Sequence, residues 1–387
     1  MTNRRKSTRV AAFLAGAWLV LGLAMEVVPA QAPTPSSPPP PSSAAAGTLP
    51  TTAVPFFAEW ASSPHAEHAA LAFTHWNSGG TIPTECAKCH SAPGFVDFLG
   101  ADGTAPGVVD HPAPVGTVIT CVACHNDKSV DLTSVTFPSG LNVAVPRGDA
   151  ICMTCHQGLG STEAVTKALA GMSDDAVNPK LEFIDAHYAA AGAILMGAQA
   201  RVAYQYPGKT YVGRLGHVAP FTGCTSCHQL HTVAVKVEAC AGCHKEVTDA
   251  ASFHFIRVSK TDYDGSGDAN EGIADEIGHM SDRLYAAMQT YAKTVAGKPV
   301  VFSAEVYPYF FVDTNGNGIA DKDELRFPNR YKSWTPRLME AAYNYLFLLK
   351  DPGAFAHNPI YTLQILYDSI ADLGTKVPAD LSKAKRP

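Results

Sequence analysis

The sequence predicts a mainly α-helical chain with extensive irregular loops, few short strands and a helical C-terminal domain. Two observations lead to this fold class. All ten cysteines lie in five copies of one motif between residues 86 and 244, where Gly, Pro and Asp interrupt regular patterns. From residue 245 onward the motif is absent, and apolar residues recur at three- and four-residue steps, which is typical of amphipathic helices.

The first 32 residues are typical of a secretory signal peptide. Basic residues precede an apolar run from Val10 to Met25, and Ala30 and Ala32 offer small side chains at a cleavable spacing. The run is shorter than the roughly 20 apolar residues of a membrane-spanning helix, and an uncleaved membrane tether is the alternative. Residues 33–55 consist mainly of Pro, Ser, Ala and Thr without any charge, which predicts a disordered linker.

Each of the five motifs reads Cys-x-x-Cys-His, the attachment sequence of c-type haem. The two thiols form thioethers with the vinyl groups of the porphyrin, and the adjacent histidine becomes the first axial ligand of the iron. The predicted attachment pairs are Cys86 and Cys89, Cys121 and Cys124, Cys152 and Cys155, Cys224 and Cys227, and Cys240 and Cys243. The predicted proximal ligands are His90, His125, His156, His228 and His244.

Other chemistry of paired cysteines does not explain this pattern. A zinc site or a redox dithiol uses a Cys-x-x-Cys pair, but neither requires a histidine directly after it five times. Disulfides would not restrict every cysteine to one spacing. Five haems at this density fill much of the interior, so we expect a multihaem cytochrome c core over residues 56–254 and a separate helical domain over residues 255–387.

The charge balance limits the classes of partner. Removal of residues 1–32 would leave 25 basic and 34 acidic residues, and the haem propionates would add further negative charge. An acidic protein of this kind is a poor ligand for nucleic acid or for an anionic membrane. It would favour basic redox proteins, although simple solubility explains the charge equally well.

Each iron needs a second axial ligand, and ten histidines lie outside the motifs. Because this is twice the number required, we expect mostly two-histidine ligation; methionine, which raises the potential, is scarce near the motifs. The predicted distal ligands are His65, His75, His187, His217 and His231. The fifth position is contested between His65 and three others, His357, His111 and His68.

Local patterns support these choices and predict five helices. His231 follows His228 by three residues, and His187 lies on the apolar face of a helix predicted over residues 181–198. A second helix is predicted over residues 161–172. In the C-terminal domain, helices are predicted around Ile277–Val295, from Thr335 as N-cap to Asp351, and from Asn358 as N-cap to Gly374.

Two oxygen-rich segments predict structural calcium sites. The first follows the twelve-residue calcium-loop template, with Gly at the sharp turn and the Ile319 carbonyl at position seven. Its predicted ligands are Asp313, Asn315, Asn317, Ile319, Asp321 and Glu324. The second segment has the same alternation but lacks Glu at position twelve, and its weaker candidates are Asp262, Asp264, Ser266, Asp268 and Glu271. An acidic surface turn is the alternative for both, and one calcium or two remain open.

The sequence resembles the exported multihaem c-type cytochromes of bacteria, often called polyhaem membrane-associated cytochromes. The resemblance rests on the five haem motifs and on the segments Phe73–Trp76, His217–Cys224 and Asn329–Asn358, together with both oxygen-rich loops. It covers most of the chain after residue 56. It implies electron transfer between periplasmic, cell-surface or extracellular partners, and the haem motifs do not specify one pathway.

Three functions are compatible with these features. The first is an electron carrier with five six-coordinate haems and no catalytic residues. The second is a multihaem reductase related to nitrite reductases, which needs one iron with a free position; many such enzymes carry lysine in place of one motif histidine, and this sequence does not. The third is a homo-oligomer in which the carrier forms a haem filament.

Overall fold

The computed structural model of the protein describes residues 54–387. The predicted signal peptide and nearly all of the predicted linker lie outside the described residues. The helices before residue 260 are short: α1 Phe57–Ala61, α2 Leu71–Thr74, α3 Thr84–His90, α4 Ala92–Phe98, α5 Cys121–Cys124, α6 Asp149–Cys155, α7 Thr162–Leu169, α8 Ala191–Met196, α9 Cys224–Cys227 and α10 Val237–Ala241.

The later helices are longer, and the strands are few within the described residues. The helices are α11 Ile273–Thr294, α12 Pro336–Leu349, α13 Ala354–His357 and α14 Pro359–Leu373. Three antiparallel two-stranded ribbons pair β1 Thr81–Ile82 with β2 Ala113–Pro114, β3 Ser134–Thr136 with β4 Asn142–Ala144, and β5 Val300–Phe302 with β6 Phe310–Val312. The prediction of a mainly helical chain with few short strands is confirmed.

The boundaries of the C-terminal helices follow their capping residues. The Thr335 hydroxyl accepts a hydrogen bond from the Leu338 N–H at 3.2 Å, directly before Pro336. The Asn358 side chain accepts from the Tyr361 N–H at 3.1 Å in the same way. Helix α14 ends at Gly374 as predicted, but this glycine keeps a right-handed φ of −60°, so its conformational freedom is not used.

The prediction of one helix over residues 181–198 is wrong. Only Ala191–Met196 is α-helical, followed by a 3-10 turn over Gly197–Gln199, because His187 and Ala189 adopt φ values of 64° and 58°, which no α-helix accommodates. The Asp185 carboxylate accepts a hydrogen bond from the His187 N–H at 2.9 Å and supports this turn. The apolar spacing of the segment reflects burial of an irregular chain. The helix predicted over residues 161–172 is confirmed in its central part as α7.

One large apolar core unites the haem-motif region with the C-terminal helices. Met153 within the third motif and Ile194 in α8 belong to the same buried cluster as Tyr343 and Phe347 in α12. The Arg337 side chain, 10% exposed, adds a polar connection, because its Nε lies 2.7 Å from Asp175 Oδ1 in the segment after α7. Residues 54–387 accordingly form one compact unit.

Candidate haem-binding sites

Each haem motif lies on or next to a short helix, which gives its two thiols a common direction. The first motif occupies α3, the second coincides with α5, the third ends α6, the fourth coincides with α9, and the fifth begins in α10. Residues three apart on one helical turn lie on the same face. Two cysteines at this spacing can therefore reach one porphyrin edge while the next residue, histidine, lies at the last position of the helix or beyond its end.

The five motif histidines each face a different second histidine. The ring centroids are 5.8 Å apart for His90 and His187, 6.2 Å for His125 and His231, 6.2 Å for His156 and His65, 6.4 Å for His228 and His357, and 6.4 Å for His244 and His217. Each pair contains one motif histidine and one histidine from outside the motifs, and no histidine is used twice.

These separations fit one iron between each pair of rings. A metal–imidazole bond is about 2 Å long, and the ring centre lies about 1 Å behind the ligating nitrogen, so two imidazoles on opposite sides of one metal have centroids about 6 Å apart. Direct packing of two small rings has no reason to repeat this separation five times. The donor set, neutral nitrogen on both sides of each site, also suits haem iron.

Hydrogen bonds orient several of these rings. Nδ1 of His90 lies 2.8 Å from the Ala72 carbonyl, and Nδ1 of His228 lies 3.0 Å from the Val233 carbonyl. On the distal side, Nδ1 of His357 lies 2.6 Å from Asp351 Oδ2. An Nδ1–H donated to an oxygen leaves Nε2 free as the metal-binding atom and makes it more basic.

Burial favours the neutral form of four of the paired histidines, and the neutral imidazole is the form that binds metal. Burial lowers the pKa of His156 to about 4, with the nearby His65 ring as a further cause. Burial likewise lowers the pKa of His65, His90 and His187.

Four of the five predicted distal histidines face a motif histidine, and the fifth place is taken by His357. His75 instead packs edge-on against Trp76 at 5.0 Å, and Trp76 lies 5.1 Å from His90, whose opposite partner is His187. His357 is only an alternative in the sequence because it neither adjoins a haem motif nor lies on a predicted apolar helix face. Asp351, six residues before His357, lies against Nδ1 of its ring. An acidic residue at this spacing is the sequence feature that could have indicated an oriented imidazole.

The remaining histidines have other neighbours. His111 lies 2.5 Å from Asp110 Oδ1 and 3.1 Å from Asp97 Oδ2. His254 lies 5.3 Å from the Phe355 ring, and His279 Nδ1 lies 2.7 Å from Asp264 Oδ2. His68 lines a largely apolar cleft of about 440 Å³ beside the second motif, together with Trp60, Val96 and Val122.

The third motif lies between the first and the fourth. The Cys155 thiol lies 3.7 Å from the Lys88 carbonyl and within hydrogen-bonding reach of the Cys89 thiol. On the other side, the Cys152 thiol is within hydrogen-bonding reach of the Cys224 thiol. Helix α6 correspondingly contacts both α3 and α9.

In the loop from Asp313 to Glu324, two acidic side chains accept hydrogen bonds from backbone N–H groups of the loop itself. Asp313 Oδ1 and Oδ2 accept from the N–H groups of Gly316 and Gly318 at 2.6 and 2.9 Å. Glu324 Oε1 accepts from the Thr314 N–H at 2.6 Å, and Asp313 and Glu324 are both at least 95% buried. Gly316 and Gly318 adopt φ values of 77° and 78°, which explains why both are glycine.

The segment from Asp262 repeats this arrangement. Asp262 Oδ1 and Oδ2 accept from the N–H groups of Gly265 and Gly267 at 2.7 and 2.9 Å. Asp264 Oδ1 accepts from the Ser266 N–H at 2.8 Å. Glu271, a predicted ligand, instead accepts from the Ser266 hydroxyl at 2.7 Å.

The chain is similar to polyhaem cytochromes of one bacterium. It is 28% identical over 362 residues to the C-type polyheme cytochrome OmcB of Geobacter sulfurreducens, which covers 78% of this chain and 45% of that protein. It is 27% identical over 373 residues to the C-type polyheme cytochrome OmcC of the same species, covering 78% of this chain and 44% of that protein. This chain therefore spans less than half the length of these curated relatives.

No protein-family model matches the chain, and no solved structure matches it. Among residues 54–387, no helix combines the length and the apolar character needed to cross a bilayer. The similarity supports a multihaem c-type cytochrome, in agreement with the five attachment motifs.

Proposed function

We propose that this protein carries electrons through five covalently attached c-type haems, each ligated by two histidines. The observation that carries this proposal is the set of five ring pairs, in which every motif histidine faces its own second histidine about 6 Å away. The distal ligands are therefore His187, His231, His65, His357 and His217, in the order of the motifs. His357 replaces His75 in the set expected from sequence.

Ligands on both sides of each iron favour conduction over catalysis. When bound, haem supplies a one-electron redox couple whose potential depends on its axial ligands and on its burial. Two-histidine ligation leaves no coordination position for a substrate, whereas a reductase needs one free position. The side chains hold each ring in place, and the Ala72, Val233 and Asp351 oxygens fix the orientation of three of the ring planes.

The contacts between motifs support a path for the electrons. The third haem would lie between the first and the fourth, because Cys155 is next to Cys89 and Cys152 is next to Cys224. Burial and, after it, the nearby Cys227 thiol raise the pKa of the Cys240 thiol, so the fifth haem would follow the fourth and extend the row of the first, third and fourth haems. Burial and, after it, the nearby Cys152 thiol raise the pKa of the Cys124 thiol, so the second haem would lie beside the third.

Export and calcium complete the proposal. Attachment of c-type haem takes place outside the cytoplasm in bacteria, and the basic and apolar start of the chain supports export to the periplasm, the cell surface or beyond. The acidic charge favours basic redox partners. The Asp313–Glu324 loop, which lies between α11 and α12 in the sequence, would hold a structural calcium ion, since it follows the calcium-loop template and buries the carboxylates of positions one and twelve.

A pair of variants tests the ligand set. In oxidised protein, His357→Ala should convert one of the five haems to a high-spin form in absorption and electron paramagnetic resonance spectra. His75→Ala is the matched control and should leave all five haems low-spin. The opposite result, with a high-spin haem in His75→Ala and none in His357→Ala, would restore the ligand set expected from sequence.

A further inference from the structure

Glu276 is a buried carboxylate whose second oxygen has no partner among the described residues. The side chain is 0% exposed in the first turn of α11. Its Oε1 accepts from the Tyr263 N–H at 3.1 Å and lies 3.0 Å from Arg257 Nη1, whereas its Oε2 is buried without any hydrogen bond. Burying a carboxylate oxygen without a hydrogen-bond partner is unfavourable, and a ligand bound to this oxygen would remove that cost.

The Glu276 carboxylate faces the second oxygen-rich loop. Oxygens of Asp262, Asp264 and Glu276 lie within 4.8 Å of one another, and Asp264 is 1% exposed. We infer that Glu276 completes a calcium site in this loop and supplies the carboxylate that the loop itself lacks at position twelve. Asp262, Asp264, the Ser266 hydroxyl and the Asp268 carbonyl occupy positions one, three, five and seven of the same template.

An equivalent backbone hydrogen bond in the two loops assigns this role to Glu276. In the Asp313 loop, the residue after position one, Thr314, donates its N–H to Glu324, the carboxylate of position twelve. In the Asp262 loop, the residue after position one, Tyr263, donates its N–H to Glu276. Position twelve itself is Ile273, the first residue of α11, and Glu276 follows it in the same turn. Side chains on a helix tilt toward its N-terminus, which brings Glu276 back to the loop.

Basic groups around the site set its charge balance. Arg257 donates to the Ser259 and Glu271 carbonyls at 2.7 and 2.9 Å, so its guanidinium braces the loop. His279, 51% exposed, lies 2.7 Å from Asp264 Oδ2, and Arg283 donates to the Asp264 carbonyl at 2.9 Å. With Asp268 and Glu271 also present, acidic groups exceed basic ones, and a hard divalent cation that takes six to eight oxygens suits the donor set.

Calcium at this site would also fix the last residues of the described chain. The Lys385 N–H donates to the Tyr263 carbonyl at 2.8 Å, and Gly265 has no room for a side chain because Lys383 packs against it. The site therefore joins the loop, the start of α11 and this C-terminal segment. The role is structural and independent of the haems.

Calcium titration of the complete haem-loaded protein tests the inference. After removal of calcium with a chelator, isothermal titration with Ca²⁺ alone should show two equivalents in the unaltered protein. Glu276→Gln should weaken one of them by at least about tenfold, because calcium affinity follows the number of charged ligands. Glu324→Gln is the matched control and should weaken the other, and the haem spectrum should stay unchanged in both.

Retention of two equivalents with full affinity in Glu276→Gln would overturn the inference, as would a single equivalent in the unaltered protein that only Glu324→Gln removes. If Glu276→Gln fails to fold, Asp262→Asn replaces it with the same expected loss. A high-spin haem in the unaltered protein would contradict electron carriage but would leave this calcium result intact, so the two proposals fail separately.

Discussion

The haem-motif region and the C-terminal helices differ in what fills their interior. Between residues 54 and 260 the longest helix is α7 with eight residues, whereas α11, α12 and α14 have 22, 14 and 15 residues. In the C-terminal part, Trp334, Tyr343, Phe347 and Tyr361 are at most 1% exposed. Helices shorter than about 12 residues are marginal by themselves. Outside the core that residues 135–211 share with the C-terminal helices, the haem-motif region therefore depends on its cofactors for an interior, whereas the C-terminal helices supply their own.

The small apolar clusters of the haem-motif region support this contrast. One contains only Ala92, Phe95, Leu99 and Ala123 as buried members, and another only Ile82, Ala87 and Ala113. The thiols that would carry the porphyrins are half-buried or exposed in all five motifs. Covalent haem attachment would cover these surfaces, so loss of a haem should act as the loss of a core.

Removal of the third haem should have the largest effect. The double variant Cys152→Ala, Cys155→Ala should lower the free energy of unfolding strongly, because the third motif contacts the first and the fourth. The most damaging point mutations cost about 4–5 kcal/mol, and we expect this double variant to cost more. Hydrogen exchange should rise in α3 and α9 more than in α12 and α14. Thermal unfolding and exchange mass spectrometry measure both effects.

The matched control is Cys240→Ala with Cys243→Ala in the fifth motif, at the end of the proposed row. This pair should lose one haem with a smaller drop in stability. An equal loss in the two double variants, or exchange that rises equally in α12, would show that the two regions do not differ in their dependence on haem.

A change at Glu340 in α12 should have a smaller effect on the free energy of unfolding. Burial raises the pKa of Glu340 in α12 to about 7, and the hydrogen bond from Tyr204 only partly opposes it. The pKa of Glu340 is therefore higher in the folded than in the unfolded protein, so protonation of this carboxyl group favours the folded state. The stability gained in this way is lost as pH rises from about 4.5 through about 7.

Glu340→Gln should therefore raise the free energy of unfolding at pH 8 by about 1–3 kcal/mol, since one pKa unit corresponds to about 1.4 kcal/mol. It should also flatten the dependence of stability on pH between about 5 and 7. Denaturant unfolding at several pH values checks this, with no change in the haem spectrum expected. An unchanged pH profile would show that Glu340 does not titrate in this range.

Local features could be predicted from sequence, and long-range pairing could not. The caps Thr335 and Asn358 fixed the starts of α12 and α14 because capping depends on adjacent residues. His231 was found because it adjoins a motif. The sequence offers His357 only as an alternative, and it does not indicate Glu276, which lies beyond the twelve residues of the loop template.

The segment around His187 shows a different limit. Its apolar spacing was compatible with a helix, but the Asp185 side chain and two residues with positive φ produce an irregular turn. The side chain still reaches His90, so the predicted role of His187 as a distal ligand did not depend on the predicted helix. Spacing in the sequence records burial, and burial alone does not determine the secondary structure.

The spin state of the oxidised, complete protein tests the central claim most directly. If two histidines close each iron, absorption and electron paramagnetic resonance spectra should show five low-spin haems, and carbon monoxide should not bind after reduction. A high-spin haem that binds carbon monoxide or nitrite would contradict the account and would favour a reductase with one accessible iron.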